Sequence, residues 1–156
     1  MKLGIKHAPF TMPQGHYPRM IVSPVEVMNP KAGLPGSIVK MKLTAQWDTG
    51  ADFCMISSAL ARNLRLESFG EASVNHVAGN DLRRNTYLVN LFLPNGIYFE
   101  DVLTVEDEGL KETGIDFLIG LAVINELDFA LTHEKDGTVL SISYPDDRLV
   151  VFCENN

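Results

Sequence analysis

The sequence predicts a mainly β domain with one or two short helices. Many short runs of β-branched and aromatic residues are separated by glycine, proline and asparagine, a pattern typical of strands joined by tight turns. Two stretches, 57–64 and 120–127, favour a helix, and both are short. At 156 residues, the chain is long enough to form one domain with a buried core.

The N-terminal segment, residues 1–19, is predicted to be an irregular arm that precedes a domain formed by residues 20–156. It shows no sustained hydrophobic periodicity and contains four residues that interrupt regular structure, namely Pro9, Pro13, Gly15 and Pro18. Its histidines, His7 and His16, are expected to be solvated rather than to bind a metal, because a zinc site needs three or four ligands.

The predicted strands follow in order along the rest of the chain. Pro24 lacks a backbone N–H, so its strand is expected to lie at an edge or to carry a bulge. The predicted helix after the strand 53–56 begins at Ser57 or Ser58, either of which can cap it. The predicted strands are 20–28, 37–43, 53–56, 74–77, 85–92, 97–99, 102–105, 117–119, 129–132, 138–143 and the tail 149–152.

Three turns join predicted strands into hairpins. The pair Asn95–Gly96 is a strong short hairpin signal, and residues 78–81 and 134–137 are turn sequences between extended runs. An acidic loop is expected over 106–114. Its triplet Glu112–Thr113–Gly114 has polar neighbours on both sides, so we do not assign it a catalytic role.

The formal net charge of −7 argues against nucleic acid or an anionic membrane as the main partner. The N-terminus lacks the apolar core of a secretory signal, and no stretch has the apolar length to cross a bilayer, so a cytoplasmic location is expected. Cys54 and Cys153 are isolated, without the spacing of a disulfide framework or a metal site. No cofactor is predicted.

One stretch, residues 45–52, contains the residue types expected where a catalytic carboxylate is held at the end of a strand. An apolar run leads into Asp48, Thr49 and Gly50, and apolar residues flank this triplet on both sides, whereas a plain surface turn is usually polar. Threonine is stiff at χ1, so its hydroxyl can be aimed, and glycine permits a sharp turn. Asp48 is therefore predicted to be a working carboxylate at the end of a strand.

The sequence 47–52, Trp-Asp-Thr-Gly-Ala-Asp, resembles the active-site loop of retropepsin-like aspartic proteases. A second element, Asp-Phe-Leu-Ile-Gly at 116–120, resembles the family's apolar-apolar-glycine segment, which packs beneath that loop and leads into a short helix. The two motifs stand in the family's order with room for a hairpin between them. The resemblance covers about residues 22–144 and implies a closed or folded β-barrel-type domain with a flap hairpin.

The resemblance implies a peptide-hydrolysing enzyme in which two carboxylates share one proton. Because the chain offers a single suitably mounted aspartate, the second must come from a second copy, so the expected state is a symmetric homodimer with Asp48 of each subunit on the axis. Substrate is expected to be a peptide or protein. The expected catalytic residues are Asp48, Thr49 and Gly50, and the expected substrate-binding residues are Ala51, Asp52, Val77, Ala78, Gly79 and Asn80.

One departure from the family matters. Many viral members carry an arginine directly after the apolar-apolar-glycine segment, where it pairs with the aspartate that matches Asp52, whereas here Leu121 follows Gly120. The substitutes available are Arg62, Arg83, Arg84 and Arg148. A non-catalytic module that binds extended peptides or mediates dimerisation therefore remains the alternative. Two-carboxylate glycosidase chemistry has little support, since no second acid has a comparable setting.

Overall fold

The computed structural model describes residues 1–4, 9–31, 40–75 and 81–145. Within these residues the chain forms strands and short helices in the following order: β1 (Lys2–Gly4), β2 (Phe10–Gly15), β3 (Ile21–Met28), β4 (Lys40–Trp47), β5 (Cys54–Ile56), α1 (Ser58–Asn63), β6 (Gly70–Asn75), β7 (Asp81–Phe92), β8 (Tyr98–Glu106), α2 (Leu110–Thr113), β9 (Phe117–Ile119), α3 (Leu121–Ile124), β10 (Asp128–Glu134) and β11 (Gly137–Ser143).

Six strands close into a ring. Their order is β8-β5-β9-β4-β3-β7, and β7 pairs back with β8, while β1 and β6 extend the sheet as outer strands. A separate three-stranded sheet has the order β10-β11-β2. The predicted mainly β, barrel-type fold with short helices is therefore confirmed. No helix among the described residues is both long and apolar enough to span a bilayer.

One main apolar core is formed by side chains of the ring together with residues of α1, α3 and the three-stranded sheet. Along β4 the side chains alternate between exposed and buried and end in buried Ala45 and Trp47, as expected for a strand with one face on a core. Trp47 Nε1 donates a hydrogen bond of 2.9 Å to Ser23 Oγ, so the buried indole and the buried hydroxyl satisfy each other. The largest fully buried side chains include Phe99, Phe117, Ile56, Leu64 and Leu91.

The strand order around β9 is what positions the candidate site. β9 lies between β4 and β5, parallel to β4 and antiparallel to β5. Trp47, the last residue of β4, and Ile119, the last residue of β9, are register partners. The loop 48–53, which joins β4 to β5, therefore crosses the C-terminal end of β9. We call this segment the Asp48 loop.

The prediction that residues 1–19 form an irregular arm is wrong for most of its described residues. β1 pairs with β8, and β2 pairs with β11. In sequence, the strand β2 lacks a clear alternating pattern near Gln14. This residue lies where the register between β2 and β11 shifts, and its side chain forms hydrogen bonds to β3. Its amide donates to Val22 O at 3.0 Å and accepts from Val22 N at 2.9 Å. The division into an arm and a domain stays a prediction.

Several element boundaries differ from the expectation. The acidic loop contains the single turn α2, which ends at Gly114 with a φ of 73°. The predicted strands 97–99 and 102–105 form one continuous strand, β8, which begins at Tyr98 and contains Asp101 with a φ of 55°. Pro24 lies where β3 pairs only with β4, as an edge position requires. The predicted strand residues 37–39, the hairpin turn 78–80 and the tail 149–152 lie outside the described residues.

Candidate active site

Asp48 is the first residue after β4 and is half-buried. Its backbone N donates a hydrogen bond of 3.0 Å to Ile119 O, which ties the start of the Asp48 loop to the end of β9. The strand that carries Asp48 is thus held on one side by the β3 ladder and on the other by β9. A carboxylate fixed in this way has little positional freedom.

The carboxylate of Asp48 is oriented by its own loop. Gly50 N donates a hydrogen bond of 2.8 Å to Asp48 Oδ1, and Ala51 N lies 3.4 Å from Asp48 O. A Cβ at position 50 would lie 3.1 Å from Oδ1, so glycine keeps the turn tight. Among the described residues, no hydrogen bond to Asp48 Oδ2 is formed. One oxygen therefore orients the group while the other is available to a further partner.

The remaining loop side chains divide between solvent and core. Thr49 and Asp52 are exposed, Ala51 is buried, and the Phe53 side chain is half-exposed. The carboxylate of Asp52 forms no ion pair within the described part of the chain. Arg83, one of the substitutes considered for the missing arginine, pairs with Glu71 instead. Its Nη1 lies 3.6 Å from Glu71 Oε2. Arg148 is outside the described residues.

Main-chain hydrogen bonds support the Asp48 loop from beneath. Leu121 N donates to Ala51 O at 2.8 Å, and Ala122 N donates to Asp52 O at 2.9 Å. Gly120 allows this contact, because a Cβ at that position would lie 2.3 Å from Phe53 O and 2.7 Å from Ala51 O. The first turn of α3 thus satisfies loop carbonyls that would otherwise need side-chain donors.

Apolar side chains within and next to the Asp48 loop pack on both sides of the sheet. Trp47 packs in the main core with its ring centroid 5.6 Å from that of Phe129. On the other side a small separate cluster contains Ala51, Leu110, Leu118 and the partly buried Met55. The loop backbone is therefore anchored by side chains facing in opposite directions. The sequence indicated the apolar flanks of the loop but not the contribution of α2 through Leu110.

Cys54 follows the loop and is fully buried. Burial raises the pKa of its thiol to about 11, opposed by a hydrogen bond from the Gly120 backbone. We expect alkylation by iodoacetamide at pH 8 to be at least about 100-fold slower than for an unfolded cysteine, since the thiolate reacts. The rate should be measured in a Cys153→Ser variant, with the denatured protein as the control. Equal rates in both states would contradict this buried position.

The structure brings together only part of the predicted site. Residues 48–52 form one loop over Gly120, as the two motifs suggested. The predicted substrate-binding residues Val77, Ala78, Gly79 and Asn80 lie outside the described residues. Sequence reasoning missed Ser23, which holds Trp47, because nothing in a sequence links a serine to a tryptophan 24 positions away. No group of three or more potential metal ligands occurs among the described residues.

A comparison with solved structures agrees with the barrel-type fold described above. No protein-family model matches the sequence, and no curated protein matches it. Among solved structures, the chain is similar to a retropepsin-like aspartic protease from Rickettsia conorii, with a TM-score of 0.51 and 13% sequence identity. The alignment covers 92% of this chain and 95% of that one. At this identity the likeness concerns the fold alone, so this chain has a retropepsin-like fold.

Proposed function

We propose that the protein is an aspartic endopeptidase whose active site forms between two copies of the chain. The observation that carries the proposal is the mounting of Asp48: its carboxylate is oriented through Oδ1 by Gly50 N, and the loop is held to β9 and α3 by main-chain hydrogen bonds. The similarity to a solved aspartic protease adds support from the fold. The proposed substrate is a peptide or protein.

The proposed chemistry requires two carboxylates that share one proton. One Asp48 accepts a proton from the attacking water, while the other donates a proton to the substrate carbonyl oxygen. Two like charges a few ångströms apart cannot both ionise easily, so the proposed pair retains one proton that both carboxylates share. The titration belongs to the pair rather than to either residue. A two-fold axis supplies both carboxylates from one position in the sequence.

The other loop residues have supporting roles in this proposal. Thr49 is exposed beside Asp48, where its hydroxyl would bond across the axis to the partner loop. Gly50 and Ala51 would lie along the substrate backbone, and Asp52 would bind substrate backbone or the partner subunit. Residues 77–80 would cover the substrate as the flap. No metal or cofactor takes part, and the proposed location is the cytoplasm.

A specific observation keeps a second candidate function in view. The Asp52 carboxylate has no cationic partner among the described residues, although the matching aspartate of many viral relatives pairs with an arginine. A retropepsin-like module that binds extended peptides or dimerises without hydrolysis would tolerate this loss. This candidate predicts peptide binding without cleavage products.

Three measurements test the proposal together. Light scattering over a concentration series should show a mass twice that of the 17.3 kDa chain, and cleavage of an unfolded protein at acidic pH should rise with the dimer fraction. A statine-type analogue of the tetrahedral intermediate should block cleavage. A dimer that binds the analogue without cleaving substrate would favour the non-catalytic module. A monomer at all concentrations would exclude the shared site.

A further inference from the structure

Glu106, the last residue of β8, bridges two residues of β7. Its Oε2 accepts a hydrogen bond from Asn85 Nδ2 at 2.7 Å and another from the Tyr87 hydroxyl at 3.1 Å. Tyr87 is buried in the main core, whereas Asn85 is exposed. Residues 85 and 87 share one face of β7, so a single carboxylate oxygen fixes two alternate side chains of the strand.

This bridge connects the β6–β7 hairpin to the strand that leaves the Asp48 loop. β7 is one arm of the β6–β7 hairpin, in which Asn85 is the register partner of Glu71. On its other side, Glu106 is the register partner of Ile56 in β5, the strand that leaves the Asp48 loop. Asp107 N also donates to Ile56 O at 3.0 Å. Glu106 thus joins the hairpin arm to the strand that follows the loop.

The surroundings of Glu106 favour its ionised form. Burial opposes ionisation, but the hydrogen bonds from Asn85 and Tyr87, with the charge of Arg84, lower the pKa of the Glu106 carboxyl. Burial and the charge of Glu106 raise the pKa of the Tyr87 phenol, while Asn85 and Arg62 act in the opposite direction. The phenol therefore remains protonated and able to donate. The charged or polar groups facing the pair come from both α1 and β7.

We propose that Glu106 is a positioning residue that sets the place of the β6–β7 hairpin relative to the Asp48 loop. The inference rests on the proposed function for its kinetic consequence, since the hairpin matters to hydrolysis only if it lies over bound peptide. The bridge itself stands on the contacts of β7, β8 and β5. In the part of the chain that the structure describes, no hydrogen bond or ion pair joins the Glu106 side chain to the Asp48 loop, so its effect on substrate is exerted through β7 and β5.

The test replaces the carboxylate with an amide of the same size. In Glu106→Gln the two charge-assisted hydrogen bonds weaken, so we expect KM for a peptide to rise about tenfold with kcat nearly unchanged. Because the pKa of Glu106 is lowered from 4.5, the carboxylate is still mostly ionised at pH 4.5, and its bonds weaken as the pH falls through the lower, folded-state value. The parent's KM should therefore rise at the acidic end, and the variant's KM should lack that rise.

Matched variants separate positioning from general damage. Tyr87→Phe removes one of the two bonds and should raise KM in the same direction by a smaller factor. Glu108→Gln removes an exposed carboxylate two residues further on and should leave KM unchanged. Superimposable KM–pH profiles of the parent and Glu106→Gln would overturn the inference.

A second measurement does not depend on catalysis. Amide hydrogen exchange in β7 should be faster in Glu106→Gln than in the parent and unchanged in Glu108→Gln. If neither the parent nor any variant cleaves peptide, the proposed function fails. Faster exchange in β7 of Glu106→Gln would still support the bridge in that case. If the parent is active but exchange in β7 does not change, the bridge is wrong and the proposed function stands.

Discussion

Replacing Asp48 by asparagine is expected to lower the rate of peptide hydrolysis by at least about 10²–10⁴-fold. Asparagine cannot take up the proton of the attacking water, whereas its side-chain oxygen can still accept the hydrogen bond that Gly50 N gives to Oδ1 at 2.8 Å. The loop, the fold and the proposed dimer should therefore survive. The measurement is the rate of peptide cleavage at acidic pH, accompanied by circular dichroism and light scattering.

The control for this substitution is Asp136→Asn, which changes an exposed aspartate in the turn between β10 and β11 and should leave the rate unchanged. Mixing subunits tests the shared site directly. With equal amounts of parent and Asp48→Asn chains that exchange freely, only about one dimer in four contains two aspartates. Activity should fall to about that fraction of the value for the same total of parent chain. A fall to one half would indicate that each chain acts alone.

Replacing Gly120 by alanine is expected to destabilise the fold by about 3 kcal/mol, at the upper end of the usual cost of overpacking. The new Cβ would lie 2.3 Å from Phe53 O and 2.7 Å from Ala51 O, and both are backbone atoms. Relief requires the loop and α3 to separate, which breaks the bonds from Leu121 N and Ala122 N. Urea unfolding measures the loss, and activity should fall with it because the Asp48 loop moves.

A strand glycine provides the matched control. A Cβ at Gly70 would lie 3.7 Å from Thr86 Oγ1, which is an ordinary contact. Gly70→Ala should therefore change the free energy of unfolding by less than about 1 kcal/mol. Equal unfolding midpoints for Gly120→Ala and the parent would contradict the close approach of α3 to the loop.

The fold and the centre of the candidate site could be predicted because their signals are local. Apolar runs broken by turn residues indicate strands, and the triplet at Asp48 with its apolar flanks indicates a mounted carboxylate. The segment ending at Gly120 was expected beneath the loop from resemblance, and the hydrogen bonds to Ala51 O and Asp52 O agree with that expectation.

Other features depend on contacts between distant parts of the chain. The side-chain amide of Gln14 bonds both backbone groups of Val22, as a neighbouring strand would. Residue propensities cannot predict such a bond between a side chain and a distant backbone. The proline and glycine around it hide the strand β2 from a pattern search. Glu106 is likewise an unremarkable acidic residue in sequence, and its importance emerges only when β7 and β8 pair.

The support of the Asp48 loop by the amides of Leu121 and Ala122 has an evolutionary consequence. A bond between two main chains requires a particular backbone path but places little demand on which side chain each residue carries, proline excepted. As lineages diverge, these two bonds place no demand on the side chains at 121 and 122, although Leu121 also packs against the main core, while glycine at 120 is needed to let the two backbones meet. The same main-chain support is therefore compatible with loops and helices of very different sequence.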